Sequence, residues 1–135
     1  MALSAWLTLS TKHGGHSQRF RLITSEYSFT QAIDETGKPA AKPKGGIVHM
    51  SFESTDNETF VAWMLSKTDQ KDGRIEYPLK RGHKIVIEFK DAYCVAYTER
   101  YEMESSANMI VQITISANEL NIDSVGYSNY WKKND

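Results

Sequence analysis

With 135 residues, the chain has the size of one domain able to bury a core without disulfides or metal. Its 16 Lys and Arg residues against 17 Asp and Glu leave a net charge of −1, so no global field draws it to nucleic acid or an anionic membrane. The lone Cys94 excludes an intrachain disulfide, and no apolar run approaches the ~18–20 residues that span a bilayer, so neither nucleic-acid binding nor membrane insertion is expected.

The N-terminal MALSAWLTLS lacks a basic leader and alternates in hydropathy, which predicts a first strand and no signal peptide. The run Lys12-His13-Gly14-Gly15-His16 offers a permissive hairpin turn. A second strand is expected over about 19–30, anchored by Phe20, Leu22, Tyr27 and Phe29, with a bulge near 23–26 where alternation slips. Residues 31–46, QAIDETGKPAAKPKGG, lose all periodicity. Pro39, Pro43 and the glycines forbid a continuous ladder, so this is a long loop, either a mobile surface segment or a functional one. Alternation resumes over 47–53.

Residues 54–66, STDNETFVAWMLS, form the one clear helix signal. Thr55 and Glu58 stand at capping-box spacing, and Phe60, Trp63 and Met64 make an apolar stripe flanked by Val61 and Leu65. The helix is therefore expected over about 55–66, packed on a sheet. Beyond a polar connector, 74–79 reads as a short edge strand ended by Pro78, and 84–90 and 91–101 as two more strands. In 108–118, Met109, Val111, Ile113 and Ile115 line one face, and no charge stands between Glu104 and Glu119. Such a strand is either central or offers its edge to another chain. A last strand over 119–125 leads to an aromatic tail with Tyr127, Tyr130 and Trp131. The sum is mainly antiparallel β with one flanking helix, most simply a small barrel in a single domain spanning 1–135.

Catalytic and ligand chemistry is sparse. His13 and His16 have no partners at metal-ligand spacing, and His49 reads as a polar-face residue. His83 completes the histidines. Cys94 has no local base or basic cluster to activate it, so a buried or idle thiol is expected. No catalytic residues, metal or cofactor are expected. Several second strand faces carry Ser, Thr, Gln or His, suiting an enclosed wet surface, a protein interface or solvent.

Ordered fragments carry a more specific signal. Tyr27-Ser28-Phe29, Asp34-Glu35-Thr36-Gly37-Lys38-Pro39 and Pro43-Lys44-Gly45-Gly46 come first. They are followed by Glu53-Ser54-Thr55-Asp56, Trp63-Met64-Leu65-Ser66, Lys71-Asp72-Gly73-Arg74-Ile75, the run Glu88 to Val95, and Ile113-Thr114-Ile115-Ser116-Ala117. In this order, over roughly 25–120, they resemble the Hcp (TssD) family, the haemolysin-coregulated tube proteins of type VI secretion systems. The resemblance implies a β-barrel assembled as a homohexamer, with stacked rings forming a hollow tube. A contractile sheath would propel it, a tip-spike protein would cap it, and its lumen would hold effector proteins. It also implies assembly in the bacterial cytoplasm and export without a signal peptide. The loop residues Asp34, Glu35, Lys38, Pro39, Lys42, Pro43 and Lys44 would meet a neighbouring subunit or ring, and the ring would hide strand edges that otherwise aggregate. A tail-tube protein of a phage-like contractile machine and a monomeric barrel with a small ligand in its lumen are the alternatives.

Overall fold

The computed structural model describes residues 4–11, 17–53, 58–79, 82–101 and 109–131. Within them, strands and helix follow in the order β1 (Ala5–Thr11), β2 (Ser17–Tyr27), β3 (Ile47–Glu53), α1 (Glu58–Leu65), β4 (Lys71–Pro78), β5 (Lys84–Tyr101), β6 (Met109–Ile122) and β7 (Val125–Ser128). All strand pairings are antiparallel, in the order β3-β2-β1-β4-β5-β6. β3 then pairs with β6, which closes these strands into a barrel. One edge of β6 lies along β5. The other is shared, with residues 110–116 on β3 and residues 119–122 on β7.

Alternation along each strand decides what points inward. Val48, Met50 and Phe52 of β3 stand opposite Ile115, Ile113 and Val111 of β6, and all of them are buried. Met109, at the start of β6, is partly buried against the same core. Leu7, Ile75, Ile87 and Phe89 fill the barrel from β1, β4 and β5. Two irregularities bend the wall without breaking it. Ile23 is the extra residue where the β2–β3 register slips between Leu22 and Thr24, and Val95 is its counterpart between Cys94 and Ala96. Both point outward and are about half exposed.

Helix α1 is described over Glu58–Leu65, and Thr55 with the rest of the cap lies outside the described residues. Its stripe is narrower than the sequence signal. Phe60 and Trp63 are fully buried and Met64 partly so, whereas Leu65 is 78% exposed. The Phe60 ring packs at 4.8 Å on Phe20 of β2 and at 4.6 Å on Phe52 of β3. Trp63 donates its indole N–H to the carbonyls of Asp69 at 3.1 Å and Ala92 at 3.2 Å, so its one polar atom is satisfied inside the core. Lys71, also buried, holds Asp69 at 3.5 Å and stands 5.9 Å from the Trp63 ring centre. The helix thus joins β2, β3, the α1–β4 connector and β5.

Several sequence expectations are corrected. The segment over 74–79 is no edge strand: β4 begins at Lys71 and runs between β1 and β5. The runs 84–90 and 91–101 are one long strand, because Asp91 adopts a φ of 56° and donates its N–H to Asp72 Oδ1 at 2.9 Å, which turns the chain without ending it. Likewise 119–122 continues β6, and the chain reverses only at Asp123, before β7. The uncharged strand is central, with both edges occupied within the chain. Closure of the barrel, not a neighbouring copy, covers those edges.

Replacing Trp63 by Ala should lower the unfolding free energy by about 3–5 kcal/mol, from lost burial plus the cavity left behind. Trp63→Phe should cost less, about 1–3 kcal/mol, since the ring volume is largely kept while the N–H donor is lost. Urea unfolding monitored by circular dichroism measures both; a Trp63→Phe protein as stable as the wild type would mean that the indole N–H contributes nothing. Ile113→Lys should abolish folding, because an ammonium cannot be accommodated at a position only 2% exposed; a soluble protein with wild-type circular dichroism would contradict this placement.

Candidate assembly surfaces

The long segment between β2 and β3 is an ordered ribbon, not a structureless loop. Thr30 and Lys44 exchange backbone hydrogen bonds of 2.9 and 2.7 Å, and Ile33 bridges Pro39 further out. At the tip, the Gly37 N–H reaches the Asp34 carbonyl at 3.0 Å and the Asp34 N–H reaches the Lys38 carbonyl at 2.8 Å. Gly37 supplies the positive φ, 87°, that closes such a turn. Asp34 organises it: Oδ1 accepts the Thr36 hydroxyl at 2.8 Å and the backbone N–H groups of Thr36 and Lys38 at 2.9 and 3.1 Å. These donors, the Thr36 hydroxyl first, hold the Asp34 carboxyl below the usual carboxylate range. All residues from Gln31 to Lys44 are exposed, and Ile33 is 66% exposed. Glu35, Lys38, Lys42 and Lys44 have no ion-pair partner among the described residues. Pro39 sits in the ribbon's outer bridge, while Pro43 turns its carbonyl toward Tyr127.

The barrel wall has two chemically distinct outer faces. On β2, β3, β6 and β5, the paired positions Thr24, Ser51, Gln112 and Thr98 form one row of uncharged polar side chains. Thr24 and Ser51 share a hydrogen bond of 2.6 Å. The next row is Glu26, His49, Thr114 and Ala96, with His49 Nδ1 at 2.9 Å from the Thr114 hydroxyl. A shallow groove of about 250 Å³ runs between these rows. On the other side β2, β4 and β5 contribute charged outer residues, flanking the uncharged Trp6 and Thr8 of β1. Arg19 stacks at 4.1 Å over Trp6, and Glu76 binds Arg74 at 2.8 Å and Lys84 at 3.2 Å. Lys84 is the main reason that the Glu76 carboxyl lies below its ordinary range. Sequence showed that some second faces were lightly charged; it did not reveal that Ser51, Gln112 and Thr114 stand side by side with Thr24 and Thr98.

The remaining candidates divide plainly. Phe60, Trp63 and Met64 belong to the helix packing described above, and Val111, Ile113 and Ile115 to the barrel core. His13 and His16 lie outside the described residues, while His49 and His83 are exposed. Among the described residues no three His, Cys, Asp or Glu side chains converge as metal ligands would. Cys94 is buried, and that burial pushes its thiol up to about 11. The barrel interior is filled by side chains of its own core.

The sequence marks Tyr127 only as part of an aromatic tail and gives no sign of Asn129. The Tyr127 hydroxyl accepts the Gly45 N–H at 2.8 Å and donates to Asn129 Oδ1 at 2.6 Å. Asn129 Nδ2 in turn donates to the carbonyls of Ala117 and Gly45 at 2.9 and 3.2 Å. The only available signal was an aromatic-rich tail, which has no period from which its contacts could be derived.

Comparison with known proteins agrees with this architecture. Residues 1–132 match the family described as Hemolysin coregulated protein Hcp (TssD). No curated protein matches the sequence directly. Among solved structures, Hcp1 from Flavobacterium johnsoniae superposes with a TM-score of 0.76 at 22% identity, over 91% of this chain and 98% of that one. The secreted protein Hcp3 from Pseudomonas aeruginosa gives 0.60 at 9% identity, over 98% and 100%. A chain of the anti-feeding prophage baseplate, in a six-fold symmetrised reconstruction, gives 0.57 at 7% identity, over 90% and 93%. At such identities the likenesses establish the fold. With the sequence match running over nearly the whole chain, the protein belongs to the Hcp (TssD) family and is a structural tube subunit of type VI secretion.

Proposed function

We propose that this chain closes into hexameric rings that stack as a hollow tube, and that its work is mechanical rather than catalytic. The observation that carries the reading is a closed, side-chain-filled barrel bearing one stiff, fully exposed ribbon, in a chain that matches the Hcp family over residues 1–132. A barrel without free edges is a rigid building block, and the ribbon extends beyond it with unpaired charges of both signs. Asp34 and Glu35 at its tip, with Lys38, Lys42 and Lys44 behind them, suit reciprocal contacts with the next subunit or ring. Each such rim pair would contribute roughly 0–1 kcal/mol, and repetition around a ring would multiply it. Stacking of this kind is salt-sensitive and reversible, as a tube that must be both built and disassembled requires.

The two wall faces support a further division. The lightly charged face of β2, β3, β6 and β5 suits a lumen, since its hydroxyl and amide groups bind effector proteins too weakly to trap them. The ionic face around β4 suits contacts with sheath and spike proteins. Release into the medium or a target cell completes the reading. The likeness to the anti-feeding prophage baseplate chain supports a second, related one, in which the barrel serves a phage-like contractile machine. Electron microscopy of the purified protein tests both, since each requires annular particles; a compact single chain at every concentration would exclude them.

Replacing residues 31–43 with an Asn-Gly turn should leave the Thr30–Lys44 pair closed and the barrel folded. Rings should persist by size-exclusion chromatography while stacked tubes disappear from micrographs. Long tubes from this shortened protein would remove the ribbon from the stacking contact. Acid should loosen the ribbon tip. Because the Asp34 carboxyl is lowered in the folded chain, the turn is favoured above the unfolded value and loses that support as pH falls through the lowered one. Protection of the Thr36 and Lys38 amides, measured by NMR hydrogen exchange, should therefore fall below about pH 4. In Asp34→Asn that pH step should be absent; its persistence would assign it to another carboxylate.

A further inference from the structure

The shared edge of β6 leaves a gap. β3 pairs with it as far as Ser116 and β7 begins to pair at Glu119, so the backbone at Ala117 and Asn118 has no strand opposite it on that side. Two other segments fill the gap. The Ala117 N–H donates to the Gly46 carbonyl at 2.7 Å, and the Asn129 N–H donates to the Asn118 carbonyl at 2.7 Å. Asn118 Oδ1 also accepts the Trp131 N–H at 2.9 Å, and the Trp131 ring packs 5.5 Å from Tyr93. The base of the ribbon and the tail after β7 therefore meet at one point of the wall.

Their contact is specific. Asn129 Nδ2 bridges the Ala117 and Gly45 carbonyls, and the Tyr127 hydroxyl joins the Gly45 N–H to Asn129. The Tyr127 ring packs edge-on against Phe29 at 5.1 Å, on the incoming arm of the ribbon, and Phe29 lies against Gly45, where any side chain would stand. Gly46 has a φ of +94°, and a Cβ there would lie 2.5 Å from the Ala117 carbonyl and 2.7 Å from Asn129 Nδ2. Tyr127 and Asn129 thus hold both arms of the ribbon at its root, where a small rotation becomes a large displacement at the tip.

We infer that Tyr127 and Asn129 form a clasp that sets the direction of the 31–44 ribbon, and that they are positioning residues for ring stacking although neither lies on the ribbon. The inference rests on the ribbon making the contact between rings. A clasp of this kind places the ribbon before the next ring arrives, so ordering it on contact costs little. It also makes stacking depend on β7 and the residue after it, which in a barrel closed without them would otherwise be dispensable to assembly.

The test compares Tyr127→Phe and Asn129→Ala with the wild type and with the ribbon-shortened protein. Tyr127→Phe keeps the ring against Phe29 and removes only the hydroxyl, so the barrel should fold and rings should form normally. Exchange of the Gly45 and Lys44 amides, read by hydrogen-exchange mass spectrometry, should rise about tenfold while exchange in the core of β3 and β6 stays unchanged. Stacked tubes should become fewer and shorter in both variants. Unchanged exchange at the ribbon root, or wild-type tubes despite faster exchange, would overturn the clasp. Should the ribbon-shortened protein fail to stack while Tyr127→Phe stacks normally, the clasp alone falls. Should the shortened protein stack normally, the ribbon reading fails and takes the stacking role of the clasp with it.

Discussion

The pairing of β3 with β6 is the constraint on which the rest of this molecule depends, since without it the strands would form an open sheet with two long edges. Seven residues of β3 lie against residues 110–116 of β6; Val48, Met50 and Phe52 are buried, and so is Ser51 between the last two. That register sends Val48, Met50 and Phe52 inward against Ile115, Ile113 and Val111, so a slip of β3 by one residue would turn its three apolar side chains out to water. The uncharged run of β6 follows from the same fact. A strand flanked on both edges has no need of the charges that guard an exposed one.

Closure also sorts the outer surface. Strands that alternate faces must place their second residues outside, and around the barrel these fall into rows whose chemistry differs by side. Thr24, Ser51, Gln112 and Thr98 sit together because bulges at Ile23 and Val95 bring their strands into that register. On the other side Arg19 lies over Trp6, and Glu76, opposite Trp6 across β1 and β4, binds Arg74 and Lys84. One wall is therefore weakly interacting and the other ionic, a difference suited to a subunit whose two sides face different surroundings.

The ribbon and the tail depend on closure in turn. Their common anchor is the stretch of β6 where neither β3 nor β7 is paired, and it exists only because β6 is longer than either partner. Backbone groups left open there need satisfaction. Gly46 and Asn129 provide it, and in doing so fix the root of a segment otherwise exposed along its whole length. A stiff projection on a closed barrel can transmit force between subunits, whereas a slack one would fold back before load was carried.

Much of this was legible in the residues alone. The period-two runs located most of the strands, Phe60 and Trp63 marked the buried side of the helix, and the ordered fragments from Tyr27 to Ala117 pointed to the family, because those signals are local in the chain. Three things were not local. The merging of 84–101 into one strand turned on a single backbone angle at Asp91, compensated by Asp72 nineteen residues away. The inner place of β4 depended on β1, which pairs with it from some sixty residues upstream. The Tyr127–Asn129 contact with Gly45 spans more than eighty residues and uses atoms that no hydropathy pattern encodes. Composition and periodicity thus determined that the chain is β-rich, with one helix and a long excursion between strands. Which edges were left open, and what held the excursion in place, was decided only when distant strands met, because hydrogen-bond partners are chosen in space and not along the sequence.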